Sequence, residues 1–420
     1  MDNPAPRVIC ARMGMDADIL VVGGGLNGPA LALALAQGGL TVALIDARPA
    51  PARAETGFDG RAYALAVASR RMLGAVGIWP GVEGLAQPIH EIKASDGRPG
   101  EGAAPWFLHF DAAEIEEGPM GHMLEDRHLF AAFQKALEAA PGVTLIHGET
   151  VVAQETGPGS ATVTLASGRR LTGRMIAGCD GRGSGTAARA GIARTGWDYG
   201  QTALVTAVEH ALPHHAIAHQ FFMPEGPLAI LPLPGNRSSI VWTLPAEQAQ
   251  AVQALEDAGY LAALRPRFGD FLGEVTLAGV RFTYPLGLSL AQSFTAPRLA
   301  LVGDAAHGIH PIAGQGLNLG FRDVAALAEV LILAARRGED VGSPAVLARY
   351  QRWRRFDTTM MAVGTDAVNR LFSNDNPLLR TVRDLGMGLV TRTPALRRGF
   401  MRQAAGLTGD LPVLLRGEAI

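Results

Sequence analysis

Residues 18–46 read "DILVVGGGLNGPALALALAQGGLTVALID". An apolar run from Ile19 to Val22 leads into three glycines. A helical pattern follows from Pro29 to Gln37, and a second apolar run, Thr41 to Ile45, is closed by Asp46. Apolar run, helical period and apolar run again, within about thirty residues, predict a strand, turn, helix, strand unit. Gly23, Gly25 and Gly28 fit G-x-G-x-x-G: the first permits the tight turn, the second lets backbone approach a pyrophosphate, and the third lets helix and strand pack closely. The helix start offers unpaired N–H groups and a partial positive charge to phosphates. Asp46, ending the second strand, is placed to accept hydrogen bonds from a ribose, which suits FAD or NAD better than a 2′-phosphate.

Two further junctions of this kind follow. In "GRMIAGCDGRGSGTAARAGI" (173–192), Arg174 to Cys179 read as a strand and Ser184 as the cap of the next helix. In "PRLALVGDAAHGIHPIAGQGLNLGFRDVAALAEVLILAA" (297–335), a strand ends at Val302, a glycine-rich loop follows, and a long helix starts near Leu317. Asp304 stands just past the strand end, where it can accept hydrogen bonds from ribityl hydroxyls. The loop from Pro311 to Gly316 aims backbone N–H groups at whatever lies before the helix start. Such donors suit the negative N1 and O2 edge of a reduced flavin. Only one G-x-G-x-x-G is present, so if it holds FAD a nicotinamide nucleotide must visit transiently or be replaced by another reductant. If it holds NAD, the third junction has no evident purpose.

Between the junctions, residues 196–285 alternate apolar and polar with many turn signals, as in "LAILPLPGNRSSIVWTL", and predict an inserted antiparallel sheet. From Ser343 onward the pattern is helical. With 420 residues the chain exceeds one typical core. The expected architecture is α/β: a discontinuous Rossmann-like FAD-binding domain (1–75, 120–195 and 285–340), a substrate domain (76–119 and 196–284) and a C-terminal helical region (341–420).

The resemblance becomes specific at "HPIAGQGLNLGFRD" (310–323), which is similar to the signature of the ubiquinone-biosynthesis flavin hydroxylases. They are a branch of the para-hydroxybenzoate-hydroxylase-like class A monooxygenases. "FDGRAYAL" (58–65) resembles the family's Arg-containing segment and "LEDRHLFAAFQKAL" (124–137) its helix with an Arg that reaches FAD, which implies flavin or pyrophosphate contacts for Arg61 and Arg127. "GCDG" (178–181) resembles the Asp-Gly motif assigned to both FAD and NAD(P)H, here Asp180 and Gly181. "YGQTALVTAVEH" (199–210) and "GPLAILPLP" (226–234) resemble the substrate sheet, so the likeness covers roughly residues 18–400. It implies cofactor contacts at Gly303, Asp304, Pro311, Gly314, Gln315, Gly316, Leu317 and Asn318, with Pro311 and Gly314 to Gly316 nearest the chemistry. The sequence departs from the family pattern at Ala187, where an Arg is usual and Arg189 follows instead, and at Asp46, where Glu is common.

The resemblance implies hydroxylation of an aromatic ring by dioxygen through a flavin C4a-hydroperoxide, with NAD(P)H as reductant and a polyprenylated phenol of the ubiquinone pathway as substrate. Two other readings stand beside it. A hydroxylase of a small aromatic acid needs a cationic anchor in the inserted sheet, for which Arg237 and Arg281 are the prominent arginines. A flavin-bearing scaffold of a biosynthetic complex would not turn over.

The net charge of −2 predicts no attraction to nucleic acid. Charge is uneven, however: from Arg349 on there are twelve arginines against six acids, a net of +6, which leaves −8 on residues 1–348. This basic, helix-rich tail predicts contact with an anionic membrane surface or with an acidic partner. No run of 18 apolar residues occurs, the two cysteines form no framework, and the start lacks a signal peptide's order. A cytoplasmic protein, peripheral to the inner membrane and joined in a complex or homo-oligomer, is expected, with Met13 or Met15 as alternative starts. His210, His214, His215 and His219 suggest a metal, but strand alternation would turn neighbours to opposite faces and no Cys or paired carboxylate supports them, so no metal is expected.

Overall fold

The computed structural model describes residues 14–49, 57–100, 102–310, 314–372, 388 and 390–420. The opening unit forms a parallel pair, Ile19–Val22 against Val42–Asp46, joined by α1 (Asn27–Gln37). Every residue of the first strand is buried, which is why it reads as a continuous apolar run rather than an alternating one. The helix starts two residues before the expected Pro29. The complete sheet has six strands in the order Thr295–Ala296, Leu299–Leu301, Met175–Gly178, Ile19–Val22, Val42–Asp46, Val143–His147, all parallel except the first.

The remaining helices are α2 (Val67–Ala75), α3 (Asp126–Glu138), α4 (Gly185–Arg189), α5 (Ala246–Gln253), α6 (Asp257–Phe268), α7 (Gln315–Arg336), α8 (Pro344–Phe372), Pro394–Ala404 and the short Val413–Arg416. α7 packs on α1. Close approach depends on Gly320, where a Cβ would run into the Asn27 side chain, and on Gly38, where it would meet Ile332.

The inserted sheet has nine strands, ordered His307–Gly308, Phe282–Ala291, Arg194–His210, Arg237–Pro245, Leu228–Leu233, Ile217–Phe222, Glu91–Arg98, Gly102–Asp111, with Val275–Leu277 also paired to Arg194–His210. Its pairs are antiparallel except Ile217–Phe222 with Glu91–Arg98. Trp242, Tyr260 and Phe268 form a separate core between this sheet and α5 and α6. The sheet extends past residue 284, because Phe282–Ala291 pairs with Arg194–Val205 along its length and Ser289 and Leu290 pair with Gly308 and His307.

Two small sheets were not foreseen: Ala62–Ala66, Gly121–Glu125 and Gln87–Ile89, and the meander Val151–Thr156, Ala161–Leu165, Arg170–Gly173. The histidine segment also differs from the expected alternation. The strand ends at His210, and His214 and His215 lie in a turn, His215 at φ 52°. His210 bonds the Leu212 carbonyl and the Ser238 hydroxyl; His214 bonds the Leu233 carbonyl and the Ala216 amide; His219 packs on Phe221 and Phe271.

Candidate active site

The strand order brings the three glycine junctions together. Gly23 N–H donates to the Ile45 carbonyl at 2.8 Å, Cys179 N–H to Val22 at 2.7 Å and Val302 N–H to Gly178 at 2.9 Å. The turns at 23–28, 180–181 and 303–304 therefore lie side by side at the carboxyl edge of the sheet. There the connections diverge to opposite sides of Ile19–Val22, which is where doubly wound sheets open a binding crevice.

In the first turn, Gly23 has φ 112° and a Cβ there would strike the Cys179 carbonyl; one on Gly28 would strike the Gly23 carbonyl. At Gly25 an added Cβ meets nothing within 4 Å, so backbone faces open space where the pyrophosphate is expected. The first turn of α1 has no acidic residue. Asp46 is held by Arg48, Nη2 to Oδ2 at 2.9 Å, and the same nitrogen bonds the Gly24 carbonyl at 2.8 Å. Arg48 thus ties the ribose-side acid to the phosphate turn. The sequence reading missed it, although a basic residue two positions after the acid is a visible signal.

In the second turn, Asp180 accepts from Ser184 Oγ at 2.5 Å and Thr186 N–H at 2.9 Å. Ser184 in turn caps α4 by accepting from Ala187 N–H. Ala187 is buried, and Arg189 is directed to Gln154. Arg182, also missed, joins this turn to the third: its Nε lies 3.2 Å from Asp304 Oδ2 and its Nη1 bonds the Pro285 carbonyl.

The third junction is held by buried charge. Gly303, at φ 63°, donates its N–H to Asp323 Oδ2 at 2.9 Å, and His307 Nε2 shares that oxygen at 2.5 Å. Asp323 Oδ1 accepts from Arg354 Nε at 2.7 Å; Arg354 and Arg322 both bind Asp357. Burial pushes the Asp323 carboxyl up, but His307 and Arg354 against it more than reverse this and hold it below its ordinary value.

Pro311 lies outside the described residues. Gly314, at φ 64°, is the N-cap of α7; Gln315, Gly316 and Leu317 form a first turn without an acidic side chain, and at Gly316 an added Cβ meets nothing within 4 Å. Asn318 is fully engaged with protein: its Nδ2 donates to the Ala64 and Gly314 carbonyls and its Oδ1 accepts from Ala66 N–H and Ser69 Oγ. It stitches the strand Ala62–Ala66 to the helix start.

Arg61 directly precedes the strand Ala62–Ala66 and Arg127 lies in the first turn of α3. Arg61 pairs with Asp59 at 2.7 Å and Asp126 at 3.5 Å, under the Phe282 ring; Arg127 pairs with buried Glu125 at 2.7 Å. His310 is buried against Tyr199, and neither ring nitrogen has a partner among the described residues. Burial, with Arg182 nearby, lowers its pKa to about 4, so the ring is neutral.

These features fit a dinucleotide. The glycines are closed by backbone at 23 and 28 and open at 25 and 316. Two helix starts free of acids face the crevice, and buried Asn27 Oδ1 between the first and third turns lacks a partner among the described residues.

Comparison with known proteins agrees. Residues 16–362 match the family model described as an FAD binding domain. Ubiquinone hydroxylase UbiL of Rhodospirillum rubrum is 45% identical over 404 residues, 96% of this chain and 93% of that protein. The chain belongs to the ubiquinone-biosynthesis FAD hydroxylases. Another member, 3-demethoxyubiquinol 3-hydroxylase of Escherichia coli, is 38% identical over 93% of this chain and 98% of its own. Among solved structures, p-nitrophenol 4-monooxygenase PnpA of Pseudomonas putida superimposes with a TM-score of 0.78 at 20% identity, covering 93% of this chain and 98% of that one, a likeness of fold. As a member of this hydroxylase family, the protein is an FAD-dependent monooxygenase.

Proposed function

We propose that this hydroxylase adds one ring hydroxyl to a polyprenylated phenol on the route to ubiquinone, using dioxygen and NAD(P)H. The observation that carries the reading is the end-to-end identity with UbiL. A second comes from the sheet itself. The arginines that could anchor a small aromatic acid are engaged: Arg237 with Glu125 at 2.9 Å, and Arg281 with the Leu255 carbonyl, Asp257 and the Tyr260 ring. Capturing a carboxylate there would mean breaking existing pairs, whereas a neutral phenol asks for no cation.

FAD, when bound, supplies the redox chemistry that activates dioxygen and places one oxygen atom on the ring. The protein's part is position, charge and dryness. Gly23, Gly25 and Gly28 would cradle the pyrophosphate and Asp46 the ribose. Asp180, Gly181, Gly303 and Asp304 would line the ribityl side, with Asp304 oriented by Arg182. The amides of Gly314, Gln315, Gly316 and Leu317, at the positive end of α7, would stabilise negative charge on the flavin edge beside Pro311. Asn318 acts by fixing that turn. Arg61 and Arg127 would add positive charge near the phosphates. With one G-x-G-x-x-G unit, the nicotinamide nucleotide visits and leaves.

Deleting the gene and identifying quinone precursors by mass spectrometry tests the proposal. A precursor lacking one ring hydroxyl is expected to accumulate and would name the carbon. An unchanged quinone profile overturns it.

A further inference from the structure

At its far end the basic tail expected to meet a membrane is engaged within the fold. Met401, Leu414 and Leu415 are buried, Arg397 pairs with Glu114, and Arg402 lies 3.8 Å from Glu117. The unpartnered surface lies earlier, along α8. Phe356, Met360 and Val363 are 75%, 55% and 57% exposed, and Arg352 and Arg355 are exposed beside them. At 3.6 residues per turn these five share one face, while Arg354, Thr358, Ala362, Thr365 and Asn369 point inward and are buried. Both carboxylates of α8 are neutralised: Asp357 by Arg322 and Arg354, Asp366 by Arg370 with hydrogen bonds from Trp197 and Tyr199. Arg352 and Arg355 have no carboxylate partner among the described residues.

The helix Pro394–Ala404 carries exposed Leu396 and Phe400, one turn apart, and exposed Arg398. The chain just after it is tied to the base of α8: Arg322 bridges Asp357 to the Gly406 carbonyl, and Trp353 Nε1 bonds the Asp410 carbonyl.

We propose that this face of α8, with Leu396 and Phe400, docks on an anionic phospholipid bilayer. Apolar side chains in a stripe, flanked by guanidinium groups without a carboxylate partner among the described residues and with both carboxylates of the helix itself already paired, are the chemistry of an interfacial helix on a negative surface. A protein partner with the same complement would have to present an acidic rim around an apolar groove; a bilayer presents both everywhere. α8 also bridges the two sheets. Tyr350 OH bonds the Leu301 carbonyl of the six-stranded sheet, while Asn369 bonds Gln201 and Phe372 packs on Phe222 of the nine-stranded one. Docking by α8 lays the seam between the sheets along the lipid, where a phenol with a polyprenyl tail resides. That last step rests on the proposed function; the docking itself does not.

FAD-loaded protein is tested by cosedimentation with phosphatidylcholine vesicles, with and without phosphatidylglycerol. Wild type should bind the anionic vesicles and release them in high salt. The R352Q/R355Q protein should bind roughly tenfold or more weakly, and F356S/M360S/V363S should lose binding while keeping its flavin absorbance, thermal midpoint and activity on a short-chain, water-soluble phenol. Wild type that ignores anionic vesicles, variants that bind like wild type, or a wild-type dimer that the triple substitution splits without any vesicle binding would each overturn the proposal. Vesicle binding without hydroxylation of any prenylated phenol would overturn the substrate reading and leave the docking surface standing.

Discussion

Replacing Asp323 with Asn removes one charge and almost no volume from the group that holds the third junction. Asp323 is fully buried and accepts from the Gly303 amide at 2.9 Å, His307 at 2.5 Å and Arg354 at 2.7 Å. Removing one partner of a buried pair costs about 3–5 kcal/mol, because the other charge is left in a medium that cannot solvate it. Arg354 keeps Asp357 at 2.6 Å, so the lower end, about 3 kcal/mol, is expected, a shift of over a hundredfold in the unfolding constant. The same carboxylate positions Gly303, so flavin affinity should fall about tenfold with it. Urea titration of the apoprotein and flavin-fluorescence titration read the two effects separately. The sign with pH follows from the direction of the shift: the folded carboxyl lies below its ordinary 3.8, so its contribution is complete above that value and is lost as pH falls through the folded value. The gap between D323N and wild type should be constant from pH 6 to 8 and close only in strong acid. The D323N/R354M double variant should cost less than the sum of the singles, since the penalty is an orphaned charge rather than a lost attraction. A D323N protein within about 0.5 kcal/mol of wild type at pH 7 would refute this account of the loop.

Two further outcomes are expected. G28A should weaken flavin binding more than tenfold and cost on the order of 2 kcal/mol, because its Cβ lands on the Gly23 carbonyl and 3.3 Å from Leu44 Cδ1, forcing α1 off the strand; wild-type flavin affinity in this variant would show that the close approach is not needed. His122, His219 and His310 are each lowered to about 4, chiefly by burial. The fold stays neutral at these sites while the unfolded chain takes protons from 6.5 downward, so stability should drop as pH falls from 6.5 to 4, by up to about 3 kcal/mol per ring. Urea midpoints at pH 7.5 and 5 measure this, and a flat profile, or an H310N protein with an undiminished slope, would contradict it.

The parallel core was legible because both faces of its strands are buried. Ile19–Val22 and Val42–Asp46 read as unbroken apolar runs, and their pairing follows from the short helical crossover between them. Pairings between distant segments were not legible. Ile217–Phe222 runs parallel to Glu91–Arg98, more than a hundred residues earlier, and no local pattern encodes that choice. The strands 62–66, 87–89 and 121–125 are short and meet across long insertions. α8 illustrates the opposite difficulty. Its inward face carries Arg354, Thr358 and Asn369 and its outward face Phe356, Met360 and Val363, so hydrophobicity alone assigns the faces the wrong way round. The period is intact; the chemistry is inverted only around Arg354, and its burial is explained once Asp323 is known to wait inside.

The same contrast divides the candidate site. Donors supplied by backbone leave a trace in the sequence, since the backbone contacts at Gly23 and Gly28 leave no room for a Cβ and φ 64° at Gly314 favours glycine. Side chains that hold the third junction from far along the chain leave none. Arg182 reaches Asp304 from 122 positions away, Arg194 binds the Ala305 and Asp304 carbonyls from more than a hundred, and Asp323 reaches back to Gly303 and His307. All converge on residues 303–307, and the strand His307–Gly308 then pins the chain to the nine-stranded sheet. The turn is therefore clamped by both sheets and by α7 before the glycines at 314 and 316 are reached. The helix start beyond it is where backbone amides must stay aimed for the flavin edge to be recognised.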